Sequence, residues 1–244
     1  MKTKIILLGF TGLLALLFTS CEQLGESVVP SGNVSTQSRV VADFDGINVS
    51  DAFNVNVIIG EQSEMVRIES NDNLHTYIKA EVIGSTLHIG LNKNLNIRRG
   101  SATFNAYISA DKLQDIEASG ASNITLQNLL SSGNCYIELA GASRLEGNIE
   151  ISQLIADISG ASNLELSGTI RTMEFDASNA SVLTDYDLRI GTFDADLSGA
   201  SNAYVTVSNE LMISASGASN VYYKGEGIVR RRKLSGASNI QHTN

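Results

Sequence analysis

Residues Ile155 to Leu164 have the sequence Ile-Ala-Asp-Ile-Ser-Gly-Ala-Ser-Asn-Leu, which is the clearest indication of the fold of this chain. Its first half places polar Asp157 between two apolar residues, an alternation typical of a β-strand with one buried face. Gly160 then permits a turn with positive φ, a conformation that is costly for residues with a Cβ atom. Because apolar Leu164 follows the turn, the stretch predicts two short strands joined by a tight corner.

The Gly-Ala-Ser corner, or a one-residue variant of it, recurs at intervals of 18 to 21 residues through the second half of the chain. A period of about nineteen residues is typical of solenoid repeats. In each copy the residues four and two places before the glycine are small or apolar, except for Arg232, and the residue between them is polar. The copies begin at Gly120, Gly141, Gly160, Asn179, Gly199, Gly217 and Gly236.

This period predicts an all-β fold, a right-handed parallel β-helix-like solenoid whose coils, here called rungs, stack about 4.8 Å apart. Residues 41–110 lack the corner but keep strand-like alternation, so we predict a single domain over residues 40–244 with irregular N-terminal rungs. An antiparallel sandwich, with strands every 8 to 12 residues or so, is the alternative architecture. Stacking also predicts a ladder of amide side chains at Asn123, Asn163, Asn202, Asn220 and Asn239.

Residues 1–20 have the features of an export signal, with Lys2 and Lys4 followed by an apolar stretch and then small residues before Cys21. The cysteine resembles the acylated residue of a bacterial lipobox, which predicts a lipid-anchored protein of the cell envelope, at the outer membrane. A plain secretory signal with a coincidental cysteine is the alternative. Residues 21–39 are rich in small and polar residues and predict a flexible tether.

Composition and the positions of reactive residues limit the classes of function that this chain can have. Without the first twenty residues the chain has 15 basic and 26 acidic residues, a net charge of −11, so nucleic acid is not a predicted partner. Cys135 lies in an apolar alternation that predicts a buried side chain rather than a nucleophile. The three histidines lack partners at metal-ligand spacing, and a corner serine that recurs seven times is unsuited to being a nucleophile. We therefore predict no enzymatic activity and no cofactor.

The first half of the domain carries a pattern that resembles a known family. The pattern runs through Asn54-Val55-Asn56-Val57, Gly60, Val66-Arg67-Ile68, Asn73-Leu74 and Leu87-His88-Ile89, and then reaches the corner at Gly120. It is similar to the bacterial family described as putative auto-transporter adhesin, head GIN domain, as is the closing stretch from Tyr223 to Ser238. The resemblance spans nearly all of the chain after residue 40 and implies a β-helix-like fold on envelope lipoproteins, with an adhesin-like role and no catalytic residues.

Two rows of side chains are candidate sites. The polar place before the corner carries a carboxylate on five successive rungs, and carboxylates about 5 Å apart repel unless a cation lies between them. The row is a candidate divalent-cation stripe, or a source of paired acids for a polysaccharide-cleaving enzyme, and the alternative is a solvated polar face. Its members are Glu117, Glu138, Asp157, Asp176 and Asp196.

Tyr204 and Tyr222 fall at the same outward place on adjacent rungs, with Tyr223 beside the second. Aromatic rings suit glycan binding, so these tyrosines are a candidate ligand site, with cross-rung stacking as the alternative role.

We predict a non-enzymatic, envelope-anchored binding or scaffold module, adhesin-like toward glycan or protein. A polysaccharide lyase or hydrolase is the alternative. The basic run Arg230–Lys233 is predicted to discourage end-to-end polymerisation.

Overall fold

The computed structural model describes residues 26–60, 65–92, 95–98 and 100–244, which form strands and one single-turn 3-10 helix, His75–Tyr77. None of the described helices is long and apolar enough to span a membrane. The strands are β1 Glu26–Val28, β2 Val34–Arg39, β3 Gly46–Val49, β4 Asn54–Ile59, β5 Met65–Asn71, β6 Ile78–Ile83, β7 Thr86–Leu91, β8 Leu95–Ile97, β9 Phe104–Ala110, β10 Asp115–Ala118, β11 Asn123–Leu126, β12 Leu130–Leu139, β13 Arg144–Ile158, β14 Asn163–Ala177, β15 Val182–Leu197, β16 Asn202–Ala215, β17 Asn220–Lys224, β18 Ile228–Leu234 and β19 Asn239–His242.

The second half of the chain is a parallel stack in which each long strand pairs with the strand one rung later. Strands β12 to β16 run side by side in this way, and β16 is followed by β17 on one side of the coil and β18 on another. Ile137 aligns with Ala156, and Ala156 aligns with Phe175. The predicted parallel solenoid is therefore confirmed, and the antiparallel sandwich is wrong for this part of the chain.

The core is a column of apolar side chains that point into the coil. On the rung formed by β14, Leu164, Leu166, Ile170, Met173 and Phe175 are buried. Phe175 stacks on Phe193 of the next rung, with ring centroids 6.0 Å apart. Each rung buries its inward face on its neighbours, so the stack is stable as a whole rather than rung by rung.

The corners stack on one another as closely as the strands do. Gly160 has φ +76°, and Asn179, which replaces glycine one rung later, has φ +63°. The N–H of Ala161 donates to the carbonyl of Gly141 on the preceding rung at 2.7 Å. A Cβ atom at Gly199 would lie 2.6 Å from the Asn179 carbonyl oxygen, so the column of corners has little space for side chains.

An eighth corner lies in the first half of the chain, where the sequence shows no Gly-Ala-Ser. Strands β3 and β4 flank Ser50-Asp51-Ala52-Phe53, and Asp51 and Ala52 both have φ +62°. Val49 aligns with Ala118 and Asn54 with Asn123, so this corner sits directly on the Gly120 corner. The irregular N-terminal rungs that we predicted are therefore part of the same stack.

The N-terminal end of the stack is closed by strands that are out of chain order. β7 and β9 pair in parallel on the outer side of β3 and β4. β5 then pairs antiparallel with β9, β2 antiparallel with β5, and β6 antiparallel with β7. These antiparallel strands cover the sheet edges that a simple coil would leave open.

Residues 26–39 correct the prediction of a tether over residues 21–39. β2 pairs along its length with β5, and β1 pairs in parallel with β8. Ser35 Oγ donates to Asp72 at 2.5 Å, and the amide of Asn73 donates to the Val29 carbonyl at 2.9 Å. Paired backbone and amide side chains fix the segment despite its small, polar composition. The predicted signal and Cys21 lie outside the described residues.

Candidate functional site

The five predicted carboxylates do form a row along the coil. Glu117 aligns with Glu138, Glu138 with Asp157, Asp157 with Asp176, and Asp176 with Asp196. The outer side of the row borders a shallow groove of about 240 Å³, which is also lined by Ser159, Ser178 and Ser198, the residues directly before the turn. Ser214 and Lys233 continue the same place on the last two rungs.

Crowding in the row makes some of these acids harder to ionise. Partial burial raises the pKa of Asp176, and the negative charges of Asp157 and Asp196 raise it further. Partial burial and then Asp115 raise the pKa of Glu117, while a hydrogen bond from Asn48 opposes that rise. The pKa of Asp115 is also raised, by burial first and then by Glu138 and Asp45. Burial and like-charge repulsion are the expected causes in such a row.

Tyr136 is a member of this site that the sequence did not reveal. Its hydroxyl lies 3.0 Å from Glu138 Oε2 and 3.0 Å from Asp157 Oδ2, bridging two rungs. Burial and these two acceptors raise the pKa of the phenol, so it stays a neutral donor that relieves the repulsion between the two acids. The available signal was its position two residues before Glu138, on the same outward face.

The row does not close around a point where a metal ion would sit. Among the described residues, no group of three or more His, Cys, Asp or Glu side chains is arranged to hold a metal ion. Calcium needs six to eight or so oxygen ligands that converge from several directions. One carboxylate per rung gives a line of ligands instead, so the arrangement favours the solvated polar face over the cation stripe.

The tyrosines form a second row, with a different membership from the one predicted. Tyr204 and Tyr222 stack with ring centroids 5.0 Å apart and planes 10° apart, and Tyr186 meets Tyr204 edge-on at 6.0 Å. Lys224 Nζ lies 4.8 Å from the centre of the Tyr186 ring. Aligning the repeats of this chain on their corners did not reveal Tyr186, because the register between β14, β15 and β16 shifts in its neighbourhood.

Tyr223 does not belong to this row. It aligns with inward-facing Val205, packs against the end of the core, and stacks on His242 with centroids 4.8 Å apart. In the outward row, Tyr204 and Tyr222 each cover one ring face of the other, and Tyr186 contacts Tyr204 from the preceding rung. A sugar ring stacks on an open aromatic face, so this arrangement favours cross-rung stabilisation over a glycan platform.

The corner serines and the cysteine are committed to structure. Ser143, Ser162, Ser181 and Ser201 are buried, and each hydroxyl donates to the carbonyl three residues earlier at 2.8 to 2.9 Å. Cys135 is buried, and burial raises the pKa of its thiol to about 12. These side chains hold the corners and the core, as the sequence predicted, and are unsuited to nucleophilic chemistry.

Residues 43–227 match the model of the family described as putative auto-transporter adhesin, head GIN domain. The chain belongs to this family. The match covers most of the chain and includes the irregular rungs as well as the regular ones, so the resemblance noted in the sequence is confirmed. The curated proteins include no match to the chain.

Solved structures share this fold at low sequence identity. One is a putative adhesin from Bacteroides fragilis NCTC 9343, 18% identical, with a TM-score of 0.80 over 88% of this chain and all of that one. Another is a putative adhesin from Parabacteroides merdae ATCC 43184, 16% identical, with a TM-score of 0.75 over 90% of this chain and all of that one. A third, described as a putative lipid binding protein from Parabacteroides distasonis ATCC 8503, has the same identity, TM-score and coverage.

Proposed function

We propose that this protein is a non-enzymatic, adhesin-like binding module of the cell envelope, held at the outer membrane by a lipid on Cys21 and directed at glycan or protein. The family description supports the adhesin-like role and the envelope location. The non-enzymatic part of the proposal is supported by the structural roles of the side chains that could act as nucleophiles, acids or bases. The corner serines bond to backbone carbonyls, Cys135 is buried, and the acids form a repeating row.

Adhesion itself is testable with cells that produce the full chain. We expect them to bind mucin-coated or matrix-coated surfaces better than matched cells that lack the protein, with the difference abolished by antibodies against the folded domain. Equal binding by both kinds of cell, at equal surface amounts of other proteins, would show that the chain is not an adhesin.

Anchoring can be tested separately at Cys21. We expect Cys21→Ser to move the protein from the membrane fraction to the soluble fraction, since about 0.8 kcal/mol per buried methylene of the acyl chains is lost. Four residues lie between Cys21 and Glu26, the start of β1, so five peptide steps would keep the folded domain within roughly 17 Å of the acylated residue. Mass spectrometry that finds an unmodified mature terminus would contradict the lipid anchor.

The alternative function is a polysaccharide lyase or hydrolase that uses the acidic row. The raised pKa of Asp176 beside Asp157 and Asp196 favours it, since a glycosidase needs a protonated and an ionised carboxyl group close together. A reducing-end assay on a panel of polysaccharides decides between the two. Turnover that disappears in Asp176→Asn but persists in Glu226→Gln would establish the enzyme and reject the proposed binding module.

A further inference from the structure

A second groove runs along the coil and shares no lining residue with the acidic groove or with the row of tyrosines. Its volume is about 610 Å³. Its floor is the backbone at inward-facing Ile151, Ile170 and Ile190, which align from rung to rung. Outward side chains on either side of this column form two walls along several rungs. The lining is rich in hydroxyl groups, from Ser131, Ser132, Ser152, Thr169 and Ser208.

Two arginines stand in this groove on opposite walls. Arg189 aligns with Thr169, and Arg171 lies two residues after Thr169 on the other side of Ile170. Adjacent rungs and a two-residue offset therefore place their Cα atoms roughly 8 Å apart. Gly133 and Gly191 also line the groove and leave it open. A Cβ atom at Gly191 would lie 2.5 Å from the carbonyl oxygen of Arg171, so the wall has no space for a side chain there.

The guanidinium groups of Arg171 and Arg189 differ from those of Arg144 and Arg230, which are paired with acids. Arg144 contacts Glu146 and Glu165, and Arg230 contacts Glu210. Neither Arg171 nor Arg189 has a hydrogen bond or ion pair from its side chain to any described residue. Both are exposed. In a chain with a large negative charge, two adjacent unpaired arginines in a groove give a local site of the opposite sign.

We propose that this groove binds a segment of an acidic polysaccharide, with Arg171 and Arg189 contacting its carboxylate or sulfate groups. Arginine presents several N–H donors in a planar fork that matches such anions. The hydroxyl groups of the walls offer donors and acceptors to the sugar hydroxyls between the charges. The groove follows the coil axis, so an extended polymer lies along it. This proposal rests on the proposed function and names the class of its ligand.

The lining favours a polysaccharide over other polyanions. No aromatic ring lines the described groove, whereas single-stranded nucleic acid is usually held by stacking of its bases on aromatic side chains. The apolar residues among those described as lining the groove, Ile151, Ile170 and Ile190, are buried and therefore do not offer an anchor for a peptide. Glu150 stands in the wall two rungs from Arg189 and opposes an anion there, so it limits the affinity.

The test uses the full chain, purified in detergent, and biolayer interferometry. Immobilised polygalacturonate and heparin present carboxylates and sulfates, while dextran, polyglutamate and single-stranded DNA are the comparison ligands. We expect binding to at least one acidic polysaccharide, no binding to dextran, and weaker binding to polyglutamate and DNA. The ratio between polygalacturonate and heparin identifies the preferred anion.

Matched variants assign the binding to the groove. Arg171→Gln with Arg189→Gln should weaken binding by about tenfold or more, because two charge-assisted hydrogen-bond donors are lost. Arg232→Gln with Lys233→Gln removes the same charge from exposed places at the end of the coil, and should change binding by less than about twofold. Glu150→Gln should strengthen binding, which a misfolded variant would not do.

Several results would overturn the proposal that this groove binds an acidic polysaccharide. They are equal losses in the two double variants, unchanged affinity in Glu150→Gln, polyglutamate or DNA binding as tightly as the polysaccharides, and no binding to any polyanion. Adhesion of cells without polysaccharide binding would reject the groove and keep the proposed function. Polysaccharide binding without adhesion of cells would keep the groove as a binding site and reject the adhesin-like function.

Discussion

At most of the regular corners of the coil, a single serine hydroxyl closes the turn. The hydroxyl of Ser162 donates to the Ser159 carbonyl at 2.8 Å, inside a corner whose backbone is otherwise occupied by contacts to the rungs on each side. Ser219 occupies the equivalent place at the corner before the last one and is fully buried, but its Oγ has no hydrogen-bond partner. Residues with the same motif position therefore differ in what they contribute.

This difference gives the first prediction. Ser162→Ala should lower the free energy of unfolding by about 1 kcal/mol, because it removes a buried hydrogen bond and leaves a carbonyl without its donor. Ser219→Ala, the matched control, should be neutral or slightly stabilising, because an unpaired buried hydroxyl is replaced by a smaller apolar group. Urea denaturation of the two variants and the parent protein measures both values. Equal losses would show that the corner serines act through packing alone.

The structural role of a corner residue could be predicted from the sequence wherever the corner kept the Gly-Ala-Ser motif. The same reasoning failed at Asp51, because the glycine is replaced by another residue that tolerates positive φ and the serine is replaced by Phe53. Phe53 is fully buried and packs near Phe104, with ring centroids 5.2 Å apart. Packing of an aromatic ring holds this corner instead of the serine hydrogen bond, so a search for the motif could not find it. The predicted Asn ladder is likewise divided, since Arg144 and Val182 interrupt it.

At the level of elements, the acidic row follows from the parallel register. Each strand contributes one outward acid, and the stack aligns them without regard to their mutual repulsion. The pKa of Asp176 is raised in the folded protein, so this residue's contribution to stability is fully present below its unfolded pKa of about 3.9. That contribution is lost as the pH rises through the folded pKa. Near neutral pH the row therefore costs stability.

The second prediction follows from that sign. Asp176→Asn should raise the melting temperature by about 1 to 3 °C at pH 7, because it removes an exposed like-charge repulsion. The gain should vanish near pH 4 and below, where the parent carboxyl is itself protonated. Thermal denaturation followed by circular dichroism at the two pH values measures it. Glu226→Gln, outside the row, should show no such dependence on pH.

Calcium gives the third prediction and bears on the same row. Calcium should raise the melting temperature no more than sodium at equal ionic strength, because screening relieves repulsion without a specific site. A saturable, calcium-specific rise that disappears in the double variant Asp157→Asn, Asp176→Asn would show that the row binds the ion.

Strand irregularities set the limit on predicting elements from the sequence. The acids could be aligned because no insertion separates their strands on that side. Tyr186 could not, because extra residues between Thr184 and Arg189 shift the register with the next rung. The pairing of β2 with β5 could not be predicted either, since Ser, Thr and Gln in β2 bury little apolar surface and the segment is ordered by backbone pairing.

For the whole molecule, the two ends of the coil differ. The N-terminal end is covered by antiparallel strands, whereas β18 pairs with β16 alone and β19 with β17 alone among the described strands. Arg232 aligns with Ile213, a fully buried core residue, but is itself exposed, so a charged residue stands over the end of the core column. Charge on an edge strand is a known way to prevent further strand addition.

The last prediction tests this role of Arg232. Arg232→Ile should continue the core column and leave an apolar end, and the protein should then associate with increasing concentration. The association should stop at a dimer, because each molecule has one such apolar end and two C-terminal ends can meet about a two-fold axis. Sedimentation velocity across a hundred-fold or so range of concentration distinguishes the species. Arg171→Ile makes the same substitution on the side of the coil and should stay in the parent's state of association. An Arg232→Ile protein that sediments like the parent at every concentration would show that the remaining basic residues, Arg230, Arg231 and Lys233, are sufficient to keep the end apart.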